Sequence, residues 1–143
     1  MQKFETLSRT EQGNFIIPIL IKVLRKLGGQ ASRNELKNTL ISDTDEIPEE
    51  FVNLSKQSKN GNKYQPFAFT FNFAIKDLIF ADFLNRPGRG EVELTEKGRV
   101  FDIDNFDVNR DVLTISRGKW REKSEENKIN NFEKASREFF LVK

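Results

Sequence analysis

The sequence predicts an α+β fold, mostly helical: a winged helix-turn-helix of three helices and a β-hairpin wing, with a C-terminal strand and helix extension. Three observations predict it. Apolar residues from Phe15 to Leu27 recur in steps of three and four and stop at Gly28-Gly29. A Phe-rich segment over 68–83 carries a second helical stripe. A turn cluster, Arg86-Pro87-Gly88-Arg89-Gly90, separates Phe83-Leu84 from the alternating Glu91-Val92-Glu93-Leu94.

Residues 1–13 lack periodicity and read as an N-terminal arm, 14–104 as the winged-helix domain and 105–143 as an extension. Asn14 is the expected N-cap of a first helix over 15–27. Pro18 falls in its first turn, where backbone N–H groups have no helical acceptor. Gly28 ends it, because glycine takes the left-handed conformation at little cost. Ser32-Arg33-Asn34-Glu35 is a capping box that starts a second helix over 33–41, with Leu36 and Leu40 inward. Asp43 to Glu50 is an acidic loop, and Pro48 opens a short helix carrying Phe51, Val52 and Leu54. Residues 55–63 form a polar basic loop.

Phe67, Phe69, Phe71 and Phe73 alternate as a strand would, but Ala74, Ile75 and Leu78 join Phe71 at the helical period. The segment 68–83 is therefore the third helix. Its far side bears a second stripe, Phe69, Asn72, Phe73, Lys76 and Phe80, so it is covered on two sides or offers one to a partner. Thr95 to Arg99 turns the chain after the hairpin. A strand is expected over Asp111 to Ser116, then a basic knot, Arg117 to Lys123. An amphipathic helix follows over 125–141, with Ile129, Phe132, Ala135, Phe139 and Phe140 on one face.

Composition removes several function classes. No Cys means no disulfide, thiol nucleophile or zinc finger, and no His means no Ser-His-Asp triad or imidazole base. A carboxylate–Mg²⁺ nuclease survives that filter, and Asp111 with Glu126-Asn127-Lys128 fits its loose pattern. The latter three fall on an expected helix, so the chain is read as no enzyme, with no metal and no cofactor. The longest apolar run, Phe15 to Ile21, has 7 residues against the roughly 20 that a membrane span needs. No membrane partner is expected, and a cytoplasmic location is the default.

Net charge is only +2, but it is sorted into blocks. Residues 14–41 hold five cations against Glu35, residues 42–50 hold five acids, and residues 51–63 hold Lys56, Lys59 and Lys63 alone. The helices and hairpin suit a double strand: helix 3 enters the major groove and the hairpin tip reaches a phosphate or the minor groove. Candidate contacts are Arg86 and Arg89 at the tip, and Arg33, Asn34 and Lys37 at the start of helix 2. Lys56, Lys59, Asn62 and Lys63 come from the basic loop, and Thr70, Asn72 and Lys76 from helix 3. Lys119 and Arg121 flank Trp120 in the basic knot.

From Phe15 to Phe101 the residues resemble the N-terminal domain of Mrr-type restriction system proteins. The carrying segments are FIIPILIKVLRKLGG, YQPFAFTFNFAIKDLIFADFLNRPGRG and VELTEKGRVF. They hold a helix with an early Pro, Gln65-Pro66 before the third helix, and an Ala-x-x-x-Leu helix. A Pro/Arg/Gly wing and Thr95-x-x-Gly98-Arg99 complete the pattern. The resemblance implies a winged-helix DNA-recognition domain joined to a nuclease that targets modified DNA. Two features depart from it: helix 3 starts Phe-rich where the family carries an Arg, and 105–143 do not resemble the nuclease domain.

The expected function is binding of double-stranded DNA as the target-recognition part of a restriction or modification-dependent system. A homodimer, or a nuclease domain or subunit, is the expected protein partner. The alternative is a protein–protein interaction or dimerisation module, or a small DNA-binding regulator.

Overall fold

Helix α1 (Arg9–Lys26) begins with a full capping box. The Ser8 hydroxyl accepts from the Glu11 N–H at 3.2 Å, and the Ser8 N–H donates to the Glu11 carboxylate at 3.3 Å. This corrects two expectations, the Asn14 cap and the free arm over 1–13. Phe4 and Gln12 are buried, and Gln12 Nε2 donates to the Phe4 carbonyl at 3.1 Å. It also moves Pro18 from the first turn to the helix interior, where its ring removes one backbone hydrogen bond. The structure, a computed structural model, describes the backbone of residues 3–141 and the side chains of 3–129.

The chain leaves α1 through Gly28 and Gly29, at φ 89° and 96°. It then forms β1 (Gln30–Ser32), a strand that the sequence reading lacked. Ser32 caps α2 (Arg33–Asp43), its hydroxyl accepting from the Glu35 N–H at 3.1 Å. Pro48 precedes the single turn α3 (Glu49–Val52). The basic loop is in fact a small ribbon: β2 (Lys56–Gln57) pairs antiparallel with β3 (Lys63–Tyr64). Pro66 is the first residue of α4 (Pro66–Phe80), where its missing N–H costs nothing.

The hairpin lies where expected, as β4 (Leu84–Asn85) and β5 (Glu91–Leu94), with Leu84 opposite Leu94. On its other edge β5 pairs with β1, Ala31 opposite Val92, giving the antiparallel order β1-β5-β4. Thr95 caps the short helix α5 (Glu96–Val100). The expected strand over 111–116 is not formed. A π-turn over Asn109–Leu113 runs directly into α6 (Thr114–Leu141). Val112, Leu113 and Ser116 are buried on one side of that continuous helix, so packing at helical spacing outweighs local β propensity. The backbone of 125–141 is helical within α6; side chains of the expected apolar face beyond Ile129 lie outside the described residues, and Ile129 itself is exposed.

The fold is thus α+β and mostly helical, with six α-helices and two small antiparallel sheets among the described residues. One core unites it. Ile16, Leu20 and Leu24 of α1 meet Leu36 and Leu40 of α2, Phe67, Phe71 and Ile75 of α4, and Val92 of β5. Each such side chain contributes about 1.5–3 kcal/mol on burial. Phe4, Phe51, Phe67 and Phe71 form an aromatic chain with ring centroids 5.9–6.5 Å apart, which fixes the N-terminal turn over α4. Among the described residues no helix is long and apolar enough to cross a membrane.

Candidate nucleic-acid interface

The exposed face of α4 follows from its sequence. Phe67, Thr70, Phe71, Ala74, Ile75 and Leu78 turn inward, leaving Phe69, Asn72, Phe73 and Lys76 at three- and four-residue spacing on the outside. Thr70 is therefore corrected as a groove residue. It is buried, and its hydroxyl donates to Gln12 Oε1 at 3.3 Å, tying α4 to α1.

Two elements converge on that face. Pairing of β1 with β5 brings the start of α2 to the turn end of the hairpin, where the Arg33 N–H donates to the Gly90 carbonyl at 2.9 Å. From there the Arg33 guanidinium reaches α4 and donates to Asn72 Oδ1 at 2.9 Å. Burial first, and then the charge of Arg86, lower the Arg33 pKa from its ordinary value. The second element is α6. Trp120 packs on Phe73 and Phe80, with ring centroids 6.0 and 5.0 Å away, and covers part of the far stripe of α4. Its indole N–H donates to Asp77 Oδ1 at 2.9 Å, and the Ser116 hydroxyl donates to the same oxygen.

Helix α6 carries Lys123 one turn beyond Trp120, near enough for its charge to bear on Lys76. Lys76 Nζ lies 4.9 Å from the Trp120 ring centroid. Its pKa is lowered, first by Lys123, then by burial, and then by the charges of Lys123 and Arg86. Arg33, Lys76, Arg86 and Lys123 thus crowd one surface. The ion pairs among the described residues are Lys26–Asp43 and Arg110–Asp111, and neither involves this cluster. Like charges held without an ion-pair partner are costly in isolation and become favourable against a polyanion.

The remaining candidates spread around this centre. Arg86 and Arg89 are exposed in the β4–β5 turn. Asn34 is exposed on the first turn of α2, while Lys37 lines a separate groove with Asp45 and Glu49. Lys56, Lys59, Asn62 and Lys63 are exposed on the β2–β3 ribbon. Lys119 lines a cleft with Phe80, Asp82 and Lys97 on another side of α4, and Arg121 is exposed on α6. Lys123 belongs to the basic knot that the sequence marks as a candidate, but its place near Lys76 follows only from the helical continuity of α6.

The segment after the hairpin has a structural task. Thr95 Oγ1 accepts from the Gly98 N–H at 3.1 Å and donates to the Asp82 carbonyl at 2.5 Å. Arg25 on α1 donates to the Gly98 and Phe101 carbonyls at 2.9 and 2.7 Å. Asp111, the acid of the nuclease pattern, is held locally: its carboxylate accepts from the Arg110 side chain and from the Asp107 N–H. The hydrogen bond from Arg110 is the main cause that lowers its pKa.

A family model, described as the Mrr N-terminal domain, matches residues 13–102. No curated protein and no solved structure matches the chain.

Proposed function

The chain belongs to the Mrr N-terminal domain family, and from that premise we propose that residues 14–104 act as a winged helix that binds double-stranded DNA. In this reading the domain supplies target recognition to a restriction or modification-dependent system, and catalysis resides in another domain or subunit. The observation that carries it is the group of Arg33, Lys76, Arg86 and Lys123 around the exposed face of α4, none of them in an ion pair among the described residues. In mechanism, α4 offers Asn72 and Lys76 to a groove, and the β4–β5 turn supplies Arg86 and Arg89 to phosphates. Asn72 can still donate through its amide nitrogen while Arg33 occupies its oxygen, and such a donor suits an acceptor on a base edge.

The test is a titration of the full chain against duplex DNA at several salt concentrations. Affinity should fall with salt at a log–log slope of about −0.9 per phosphate contact. The double variant Arg86→Ala/Arg89→Ala should bind more weakly and respond less to salt. A wild-type affinity that ignores salt would overturn the reading.

A further inference from the structure

The first turns of α4 hold a feature that binding to a regular duplex does not use. Phe69 is 44% exposed, although Phe67 and Phe71 beside it are buried. Tyr64, at the end of β3, meets it edge-on with ring centroids 5.6 Å apart. The Arg9 guanidinium lies 5.7 Å from the Phe69 ring centroid. Beside this ring opens a cleft of about 470 Å³, walled by Ser58, Lys59 and Asn62 of the ribbon turn. That volume lies within the roughly 300–1,000 Å³ of small-ligand clefts.

The charge around the cleft is of one sign. No Asp or Glu occurs from Phe51 to Lys76, and the lining contains Arg9 and Lys59 but no acid. Position matters as much. Phe69, Asn72, Phe73 and Lys76 share one side of α4, so the aromatic cleft and the cationic cluster stand at two ends of one stripe, about 10 Å apart along the axis. An open aromatic face beside cations is the pairing that holds a base with its phosphates, because every base has a face to stack and every nucleotide a charge to neutralise.

We propose that this cleft receives one unpaired nucleobase from a strand whose backbone continues to Arg33, Lys76 and Arg86. The base stacks on Phe69, Asn62 faces its polar edge, and Arg9 and Lys59 meet the flanking phosphates. The proposal rests on the reading of this surface as a nucleic-acid interface and extends it: the preferred ligand is a duplex interrupted by an extrahelical base rather than a continuous one.

The experiment compares two labelled DNAs by fluorescence anisotropy with the full chain: a perfect duplex, and the same duplex carrying one bulged base. The bulged duplex should bind at least about 5-fold tighter, the lower end of what one aromatic stack supplies. Phe69→Ala should level the two while leaving the perfect duplex within about twofold of wild type. Asn62→Ala, at an exposed turn, should reduce the preference without altering the fold, and thermal unfolding of both variants checks that they remain folded. Equal, tight binding of both DNAs by the wild type overturns the cleft and leaves the duplex reading intact, with an acidic aromatic peptide as the better occupant. Binding of neither DNA overturns both readings. A preference that survives Phe69→Ala, or a Phe69→Ala loss that falls on both DNAs alike, overturns the cleft as well.

Discussion

Arg33 Nη1 donates to Asn72 Oδ1 at 2.9 Å, so the first residue of α2 and the exposed face of α4 act as one unit. The bond fixes which end of the Asn72 amide points outward. It also holds a cation against the exposed face of α4 while leaving its other N–H donors free. Arg33→Ala should therefore weaken duplex binding at all sequences and lower the magnitude of the log–log salt slope by about 1. Asn72→Ala should leave the salt slope unchanged and reduce discrimination between sequences, by about 1–3 kcal/mol at the position it reads. Titrations against two duplexes at three salt concentrations separate these outcomes.

The crowding at Lys76 makes a pH prediction whose sign is fixed. Lys123, burial and Arg86 depress its pKa below the ordinary 10.5, so between the folded value and 10.5 the unfolded chain binds more of the proton than the folded one. Stability from this site therefore rises as pH increases through that window. Lys76→Met keeps the packing against Trp120 and removes the charge. It should be at least as stable as wild type at pH 7, with the difference shrinking toward pH 10. Thermal unfolding of both proteins from pH 7 to 10 measures it, and a difference that grows with pH would contradict the assignment.

The three main helices and the hairpin were legible because each carries its own local signal: the apolar series of α1, the Ser32–Glu35 cap, and the Arg86 to Gly90 turn. Elements without such a signal were missed. β1 has three residues and no period to read, and exists because β5 offers it an edge. The β2–β3 ribbon is made of Lys, Gln and Tyr pairs with no alternating apolar face. The true start of α1 was readable in principle, since Ser8-Arg9-Thr10-Glu11 is itself a capping box, but no apolar periodicity marks that turn. At the site, charge type was legible and assembly was not. Thr70 and Asn72 look alike in sequence, and only the facing of α4 toward Gln12 buries one and exposes the other.

Trp120 is the only Trp, which makes the docking of α6 measurable. Asp77 accepts from both Trp120 and Ser116, so its removal leaves two donors on α6 without their partner. Asp77→Ala should cost about 1–3 kcal/mol in urea unfolding. The Trp120 emission should shift to the red as the indole loses its contact with Phe73 and Phe80. Lys123 is then no longer held beside Lys76, so duplex affinity should fall although Asp77 itself is an acid. A rise in affinity on this substitution would show that the carboxylate acts mainly by repelling the ligand rather than by holding α6.

Gly98 sits where the chain can accommodate no side chain. A Cβ built there would stand 2.3 Å from the Phe83 carbonyl oxygen, which accepts from the Thr95 N–H at 3.0 Å and so cannot retreat without breaking the close of the hairpin. Gly13 and Gly118 are the opposite case: both lie inside helices with nothing within 4 Å of the added atom. Gly98→Ala should therefore destabilise by about 3 kcal/mol or more, while Gly13→Ala and Gly118→Ala should each stabilise by about 1 kcal/mol through helix propensity. In thermal unfolding the first corresponds to a loss of about 10 °C and the others to gains of a few degrees. The contrast matters for function because the hairpin that carries Arg86 hangs on this contact: Gly98→Ala should weaken duplex binding in proportion to the unfolded fraction, whereas the two helical variants should bind as wild type. A stable Gly98→Ala protein with full affinity would mean that the approach of α5 to Phe83 is not what fixes the hairpin against the core.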